Sequence, residues 1–379
     1  MREPMETVRF LAETIGPRPP TSAAEAQAAA YVNARMREAG VEVEVQPFRA
    51  VATFSLPYGL LFLLGAASPL LYRFTRPGAF AISLLVLLGF VLETFSFPVV
   101  SSWLPSGKSQ NVIGTRAPVR EGRRHLIFVA HLDSSRAALP FHPRWVAGFR
   151  FSFLLTGFAL VSLPALLGLQ WALGTPWLGY VQGFSAGYLG LSFLLLVHRE
   201  TLMPFVPGAN DNASGVAVLL RLAEELTDLE QTALWFVATG CKESGAHGMR
   251  HFLRHYPFPK QEAFIVNLDH VGRGELRIIT AEGMLWPHRA DPLLLDLARQ
   301  SSPKMAFRPF RAMVTDAQVS LVRGYRSISL MALEGGLPAD WHWPTDTAVR
   351  IYPEVLERAT QIAVGIARQV DALGTERLA

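Results

Sequence analysis

The apolar positions along this chain fall into two patterns. Four stretches, 56–72, 79–99, 151–169 and 177–197, are almost unbroken apolar runs; three contain no charged residue and 79–99 contains only Glu93. Each approaches the roughly 20 apolar residues a helix needs to cross a bilayer core. Trp, Tyr and Arg stand near several of their ends, as interfacial anchors do. The pattern predicts four spans in two hairpins, closed by the short loops 73–78 and 170–176. Glu93 reads either as a functional intramembrane acid or as a residue at a span boundary.

Between and beyond these runs the pattern changes. Short apolar segments at 125–130 (HLIFVA), 233–239 (ALWFVAT), 263–269 (AFIVNLD) and 327–331 fit strands buried on both faces. Helical periodicity covers 22–39, 214–226, 248–256, 291–301 and 353–373. Strands alternating with helices predict an α/β domain with a mixed, mostly parallel central sheet flanked by helices. That domain occupies 1–50, 104–140 and 201–379, and the transmembrane hairpins 51–103 and 141–200 interrupt it.

Composition sharpens this picture. Hydrophobic residues make up 50% of the chain and charged residues only 17%, against about 25% charged in a typical soluble domain. The deficit agrees with membrane-buried segments. The formal charge of +4 does not indicate nucleic acid, because no basic stripe interleaves with aromatics. Cys241 is the single cysteine, so no internal disulfide framework exists. The N-terminal segment is charged and broken by proline, without the apolar core of a cleaved secretory signal, so membrane entry is expected through the internal runs. Near the span ends, Arg37, Arg49, Lys108, Arg116, Arg136, Arg144, Arg150 and Arg199 lie on the side of the main domain, and only Arg73 and Arg76 lie in the hairpin loops. That asymmetry places the main domain in the cytoplasm, making the chain an integral membrane protein with four spans.

Chemistry-bearing residues gather where the strands end, which is where ligands bind in open α/β sheets. HLIFVA runs into His131-Leu132-Asp133, ALWFVAT into Gly240-Cys241-Lys242-Glu243, and AFIVNLD ends on Asp269. Two further segments add Asp211, in GANDNASG, and His342 and Asp346, in WHWPTDT. Imidazoles and carboxylates in this combination suit a borderline-soft divalent metal, above all zinc.

The segments HLDSS, GANDNASGVAVLL, KESGAHG, NLDHVG and WHWPTDT resemble successive motifs of the two-zinc aminopeptidase-like metallopeptidases, which include bacterial leucyl aminopeptidases and glutamate carboxypeptidase-like proteins. IGPRPPTSAAEAQAAAYV and KSQNVIGTRA resemble the N-terminal part of the same family, so the likeness runs through the whole chain outside the hairpins. The resemblance implies a zinc exopeptidase-like fold and two Zn2+ ions. Asp211 would bridge them, His131 and Asp269 would hold one, and Glu243 and His342 the other. It also implies that Asp133 orients the imidazole of His131, that Asp346 gives support unless it merely caps the helix that follows, and that the Asp211–Asn212 peptide is cis. The implied activity is hydrolysis of N-terminal peptide bonds, with a peptide or small aminoacyl substrate and the lipid bilayer as partners.

One departure bears on catalysis. The family places a general-base glutamate immediately before the ligand glutamate, and this chain has Lys242 there. A protonated lysine accepts no proton. Burial beside two cations would lower its pKa and let it act as a base; otherwise the chain is a metal-binding pseudopeptidase with a binding or regulatory role. Glu334, Asp340 and His247 are the candidate substitutes. A transporter built on the spans is a weaker reading, because the runs lack paired charges and inverted repeats.

Overall fold

The computed structural model describes residues 3–373. Nine strands form one sheet: β1 (Glu42–Ala50), β2 (Gly107–Arg116), β3 (Arg124–His131), β4 (Thr232–Thr239), β5 (Ala263–Leu268), β6 (Glu275–Glu282), β7 (His288–Arg289), β8 (Ala306–Phe310) and β9 (Arg326–Leu333). Their order is β1-β2-β4-β3-β5-β9-β6-β7, with β8 paired to β6. The block β4-β3-β5-β9 is parallel throughout. Towards both edges the pairings β1–β2, β2–β4, β9–β6 and β6–β7 are antiparallel, although β8 runs parallel to β6. The sheet is thus mixed, and the expected parallel majority is a property of its centre. The edge strands escaped the sequence reading because β1 (EVEVQPFRA) and β6 (ELRIITAE) alternate apolar with charged residues instead of forming apolar runs.

The central strands are apolar throughout because they serve two cores. From β3, Leu126, Phe128 and Ala130 join a large cluster with the helices Ala23–Glu38, Ser214–Glu225, Pro292–Ser301 and Pro353–Asp371. Ile127 and Val129 point the other way, towards Met249 and Phe252 of the helix His247–His255. Helix starts carry sequence-coded stops. Ser22 accepts a hydrogen bond from Glu25 N, Asp291 accepts one from Leu294 N, and Pro353 occupies the first turn of the last helix.

Arg18, from the proline-rich segment IGPRPP, is fully buried. Its guanidinium donates to the carbonyls of Leu11, Gly16, Leu132, Pro207 and Gly208 at 2.8–2.9 Å. Burial lowers its pKa to about 10, which leaves it charged at neutral pH. One side chain thereby ties the entry segment to the loop after β3 and to the loop before the helix Ser214–Glu225.

A second compact unit comprises Thr53–Pro105 and Ala138–Met203. It contains the helices Ser55–Leu71, Arg76–Thr94, Phe149–Leu173 and Leu178–Leu202. Three helices are long and apolar enough to cross a membrane: Arg76–Thr94, Val146–Leu173 (which includes a preceding turn) and Leu178–Leu202. The fourth expected span is shorter. Ser55–Leu71 has 17 residues, or about 25 Å of helix against a core of about 30 Å. The four pack around small residues. A Cβ on Gly65 would come 2.9 Å from Leu189, 3.4 Å from Leu160 and 3.6 Å from Val86, so glycine lets all four helices meet there. Their outer faces expose Leu85 (66%), Phe158 (68%) and Phe184 (82%). Glu93 lies in the last turn of its helix and accepts hydrogen bonds from Val100 N (2.6 Å) and Ser101 N (2.8 Å). It shapes a helix end, in agreement with the boundary reading.

Replacing Arg18 by Ala strands five carbonyls and should cost about 3 kcal/mol or more. Arg18→Lys, with three donors instead of five, should recover only part of that. Thermal unfolding of the purified chain in detergent measures both, and a melting point unchanged in Arg18→Ala would contradict the role given to this residue.

Candidate metal centre

The residues singled out at the strand ends come together at the carboxyl edge of the parallel block. His131 closes β3, Asp269 follows β5, and Lys242 and Glu243 follow β4. Asp211 lies in the irregular turn Ala209–Ala213 that leads into the helix Ser214–Glu225, and His342 lies in the loop after β9. The turn packs closely because Gly215, in the first helical turn, leaves no room for a Cβ: one would lie 2.3 Å from Leu268 O. The Asp211–Asn212 peptide is cis. Cys241, Ala246, His270 and His342 all adopt positive φ, a left-handed conformation that side chains other than glycine rarely take. The loops around the centre are strained to aim their side chains.

Two groups of three share Asp211. His131, Asp211 and Asp269 form one, and Asp211, Glu243 and His342 the other; within each, the candidate ligand atoms lie within 4.8 Å of one another. His131 Nε2 is 3.1 Å from Asp211 Oδ1 and 3.7 Å from Asp269 Oδ1. His342 Nε2 is 3.0 Å from Asp211 Oδ2 and 2.9 Å from Glu243 Oε2. All five residues are buried. Among the described residues, His131 Nε2, both carboxylate oxygens of Asp211 and Asp269 Oδ2 find no aligned hydrogen-bond partner. Buried lone pairs that converge without an aligned hydrogen bond are costly, and a cation would take them, so this donor set fits zinc.

The backbone under these ligands is fixed by two other acids. Asp133 accepts from Lys242 N (3.0 Å) and Glu243 N (2.7 Å), which holds the loop after β4. The imidazole of His131 is steered mainly by main chain: its Nδ1 lies 3.0 Å from the carbonyl of Asp133 and 3.5 Å from the carboxylate. Asp346 accepts from Asn210 N (2.6 Å) and Asp211 N (3.0 Å), so it supports the backbone at Asp211 and does not cap the following turn. Burial pushes Asp346 up to about 7, partly offset by those two N–H donors.

Lys242 is the main surprise. Its Nζ lies 2.6 Å from Glu243 Oε1, 3.6 Å from Asp211 Oδ1 and 3.7 Å from Asp269 Oδ2. With protein groups alone, burial would discharge this lysine, but Asp211, Asp269 and Glu243 outweigh it and hold its pKa well above the ordinary range. The same attraction overcomes burial for the acids, and Asp211, Glu243 and Asp269 sit well below the usual carboxylate range. The protein groups by themselves thus favour an ammonium at Lys242, whereas the lowered pKa expected of it presumes two cations beside it. The candidate substitutes have partners of their own. Glu334 pairs with Arg273, and Asp340 with Arg273 and Arg350. Burial and the neighbouring Arg250 lower His247 to about 3.

His270 was not singled out in the sequence, although it directly follows Asp269. It is fully buried, with Nδ1 2.6 Å from Asp269 Oδ1 and Nε2 3.2 Å from Asp211 Oδ2. Adjacency to a candidate ligand was its only signal.

Comparison with known proteins agrees with the motifs. The sequence model of Peptidase family M28 matches residues 193–367 of this chain. The aminopeptidase YwaD of Bacillus subtilis is 36% identical over 89 residues, a match covering 21% of this chain and only 20% of that protein. The fold is similar to that of BSAP, a zinc aminopeptidase from Bacillus subtilis, with 17% identity, a TM-score of 0.56 and coverage of 97% of this chain and 93% of that one. It is also similar to a leucine aminopeptidase precursor from Bacteroides thetaiotaomicron (15% identity, TM-score 0.56, 96% and 95% covered). A glutaminyl cyclase from the same organism matches at 14% identity, with TM-score 0.57 and 96% of each chain covered. The resemblance to two-zinc aminopeptidase-like metallopeptidases is borne out.

Asp133→Ala should release the loop that carries Glu243 and weaken zinc binding by about 10- to 100-fold, the usual consequence of losing a residue that positions a ligand. Competition against a chromophoric chelator gives the affinity. A value equal to that of the unaltered chain would mean that the loop holds its place without Asp133.

Proposed function

We propose that this chain is a membrane-anchored, zinc-dependent exopeptidase of the aminopeptidase type, hydrolysing N-terminal peptide bonds. The observation that carries the reading is the pair of buried donor groups sharing Asp211. Divided in this way, His131 and Asp269 would hold one zinc ion and Glu243 and His342 another, with Asp211 available to both. When bound, zinc supplies Lewis-acid polarisation of a carbonyl and an acidified water. The chain's own residues do the rest. Asp133 and Asp346 hold the ligand-bearing backbone. Carboxylates at the centre offer a free α-amine an anionic partner, which would favour chain ends over internal peptide bonds.

The anchoring part rests on three helices of spanning length and on the apolar side chains their outer faces expose. We read the two hairpins as lying in the bilayer. The excess of Lys and Arg on the side of the peptidase-like domain favours a cytoplasmic location.

A second reading is favoured by one contact. Lys242 Nζ donates to Glu243 at 2.6 Å from the position where relatives of this type carry a base, and an ammonium takes no proton from water. In that reading the chain is a pseudopeptidase that keeps its metal for binding or regulation.

The unaltered chain should hydrolyse at least one aminoacyl chromogenic substrate, lose that activity to a chelator and regain it with zinc. His342→Ala should abolish it. Introducing Lys242→Glu separates the readings: an inert chain that gains activity, on the order of 10²–10⁴-fold for a restored base, is a disabled enzyme. Extraction of membranes with alkaline carbonate should leave the chain in the pellet. In right-side-out vesicles the peptidase-like domain should resist added protease, and cleavage there would reverse the orientation.

A further inference from the structure

We propose that Asp340 is a positioning residue for His342: clamped by Arg273 and Arg350, its carboxylate sets the loop that brings the His342 imidazole to Asp211 and Glu243. The inference rests on the metal-dependent reading above and deepens it, by naming what holds a ligand that the sheet itself does not hold.

His131 closes β3, and Asp269 directly follows β5, so the parallel block aims both. His342 has no such support. It lies well beyond Leu333, where β9 ends, in a loop built of turns. The backbone there is left-handed at Asp340 (φ 55°) and again at His342 (φ 48°), on either side of the buried Trp341. Side chains other than glycine rarely adopt that conformation, and it persists only where the surroundings impose it.

Asp340 supplies the hold. Its Oδ2 accepts from Arg273 Nη1 at 3.1 Å and from Arg350 Nε at 2.7 Å, and its Oδ1 accepts from Thr345 Oγ1. Its carbonyl accepts from Trp343 N at 3.0 Å, so the turn that contains His342 closes on the clamped residue. Arg273 follows Asp269 and His270 in the loop after β5, whereas Thr345 and Arg350 lie beyond His342. The guanidinium of Arg273 thus connects the loop of one candidate ligand to the loop of another. Arg273 also meets Glu334 at 2.8 Å, but the two acids are not equivalent: the side chain of Glu334 is 44% exposed and that of Asp340 only 10%. An exposed ion pair contributes little. A largely buried carboxylate with three donors, two of them cationic, is costly to remove. The positioning therefore falls to Asp340.

Zinc affinity of the full chain in detergent, measured by competition against a chromophoric chelator, tests this without reference to activity. Asp340→Ala should weaken binding by about 10- to 100-fold, and Glu334→Ala by no more than about fivefold. A general loosening of the domain would also weaken binding, so the deciding comparison is made on His342→Ala. There, adding Asp340→Ala should change the affinity by less than about twofold, because the side chain through which it acts is gone. In cobalt-loaded protein the visible absorption bands report the ligand set, and Asp340→Ala should lose the bands that His342→Ala loses. Asp340→Asn, close in shape but uncharged, should fall between the unaltered chain and Asp340→Ala, and it carries the same comparisons if the alanine variant fails to melt cooperatively. An affinity or a cobalt spectrum unchanged by Asp340→Ala, or equal losses with and without His342, would overturn the inference and leave the zinc peptidase reading intact. Zinc absent from the unaltered chain would instead remove the metal-dependent reading itself.

Discussion

Three carboxylates held out of water within a few ångströms of each other dominate this molecule. Asp211, Glu243 and Asp269 repel one another, and burial alone would protonate them. They remain anionic because histidine, lysine and, when bound, metal surround them. Each surrounding feature can be read as an answer to that crowding. His131, His270 and His342 face the carboxylate of Asp211, and Lys242 reaches all three acids. A centre so organised is poised to capture a cation, since the energy already spent on assembling the acids is recovered when one arrives.

Holding like charges together needs a scaffold that does not yield. The parallel block supplies one, because its central strands are buried on both faces and their ends are fixed by two packed cores. The loops beyond the strand ends are fixed by polar groups pointing inward. Arg18 gathers five carbonyls, Asp133 two amides and Asp346 two more. Glu25 adds a further tie, accepting from Thr21 N, Ser109 Oγ and Cys241 N across the edge of the sheet. Left-handed backbone at Cys241, His270 and His342 persists because these ties determine it more strongly than local preference does.

The helical unit obeys a different rule. Its interior packs large apolar side chains such as Phe90 and Leu160 with glycine where helices come close, as at Gly65, and its exterior exposes further large apolar residues. Polar contacts inside it are few and paired, such as Ser162 with Ser185 and Gln170 with Gln182. Among the described residues, three of its helices are long and apolar enough to cross a membrane.

Periodicity located the central strands and most of the long helices to within a residue or two, because burial on both faces leaves an unbroken apolar signature that needs no partner to be recognised. His131, Glu243 and Asp269 were readable from their places at strand ends, whereas Asp211 and His342 lie in loops and were implied by the resemblance of GANDNASG and WHWPTDT to the motifs of a family. Strands β1, β6, β7 and β8 were hidden: they are short or lie towards the edges, and half-exposed strands look like surface. The apolar run 79–99 outlasts the helix Arg76–Thr94, because a run marks what is apolar and not where the backbone turns. Above all, the sequence set a lysine beside a glutamate without saying where the ammonium points. Only the fold aims Lys242 at three acids, places His270 against two of them, and turns Arg18 from a residue among prolines into a buried clamp. Chain order fixes which groups are available, whereas distances between groups a hundred residues apart arise only when the sheet closes.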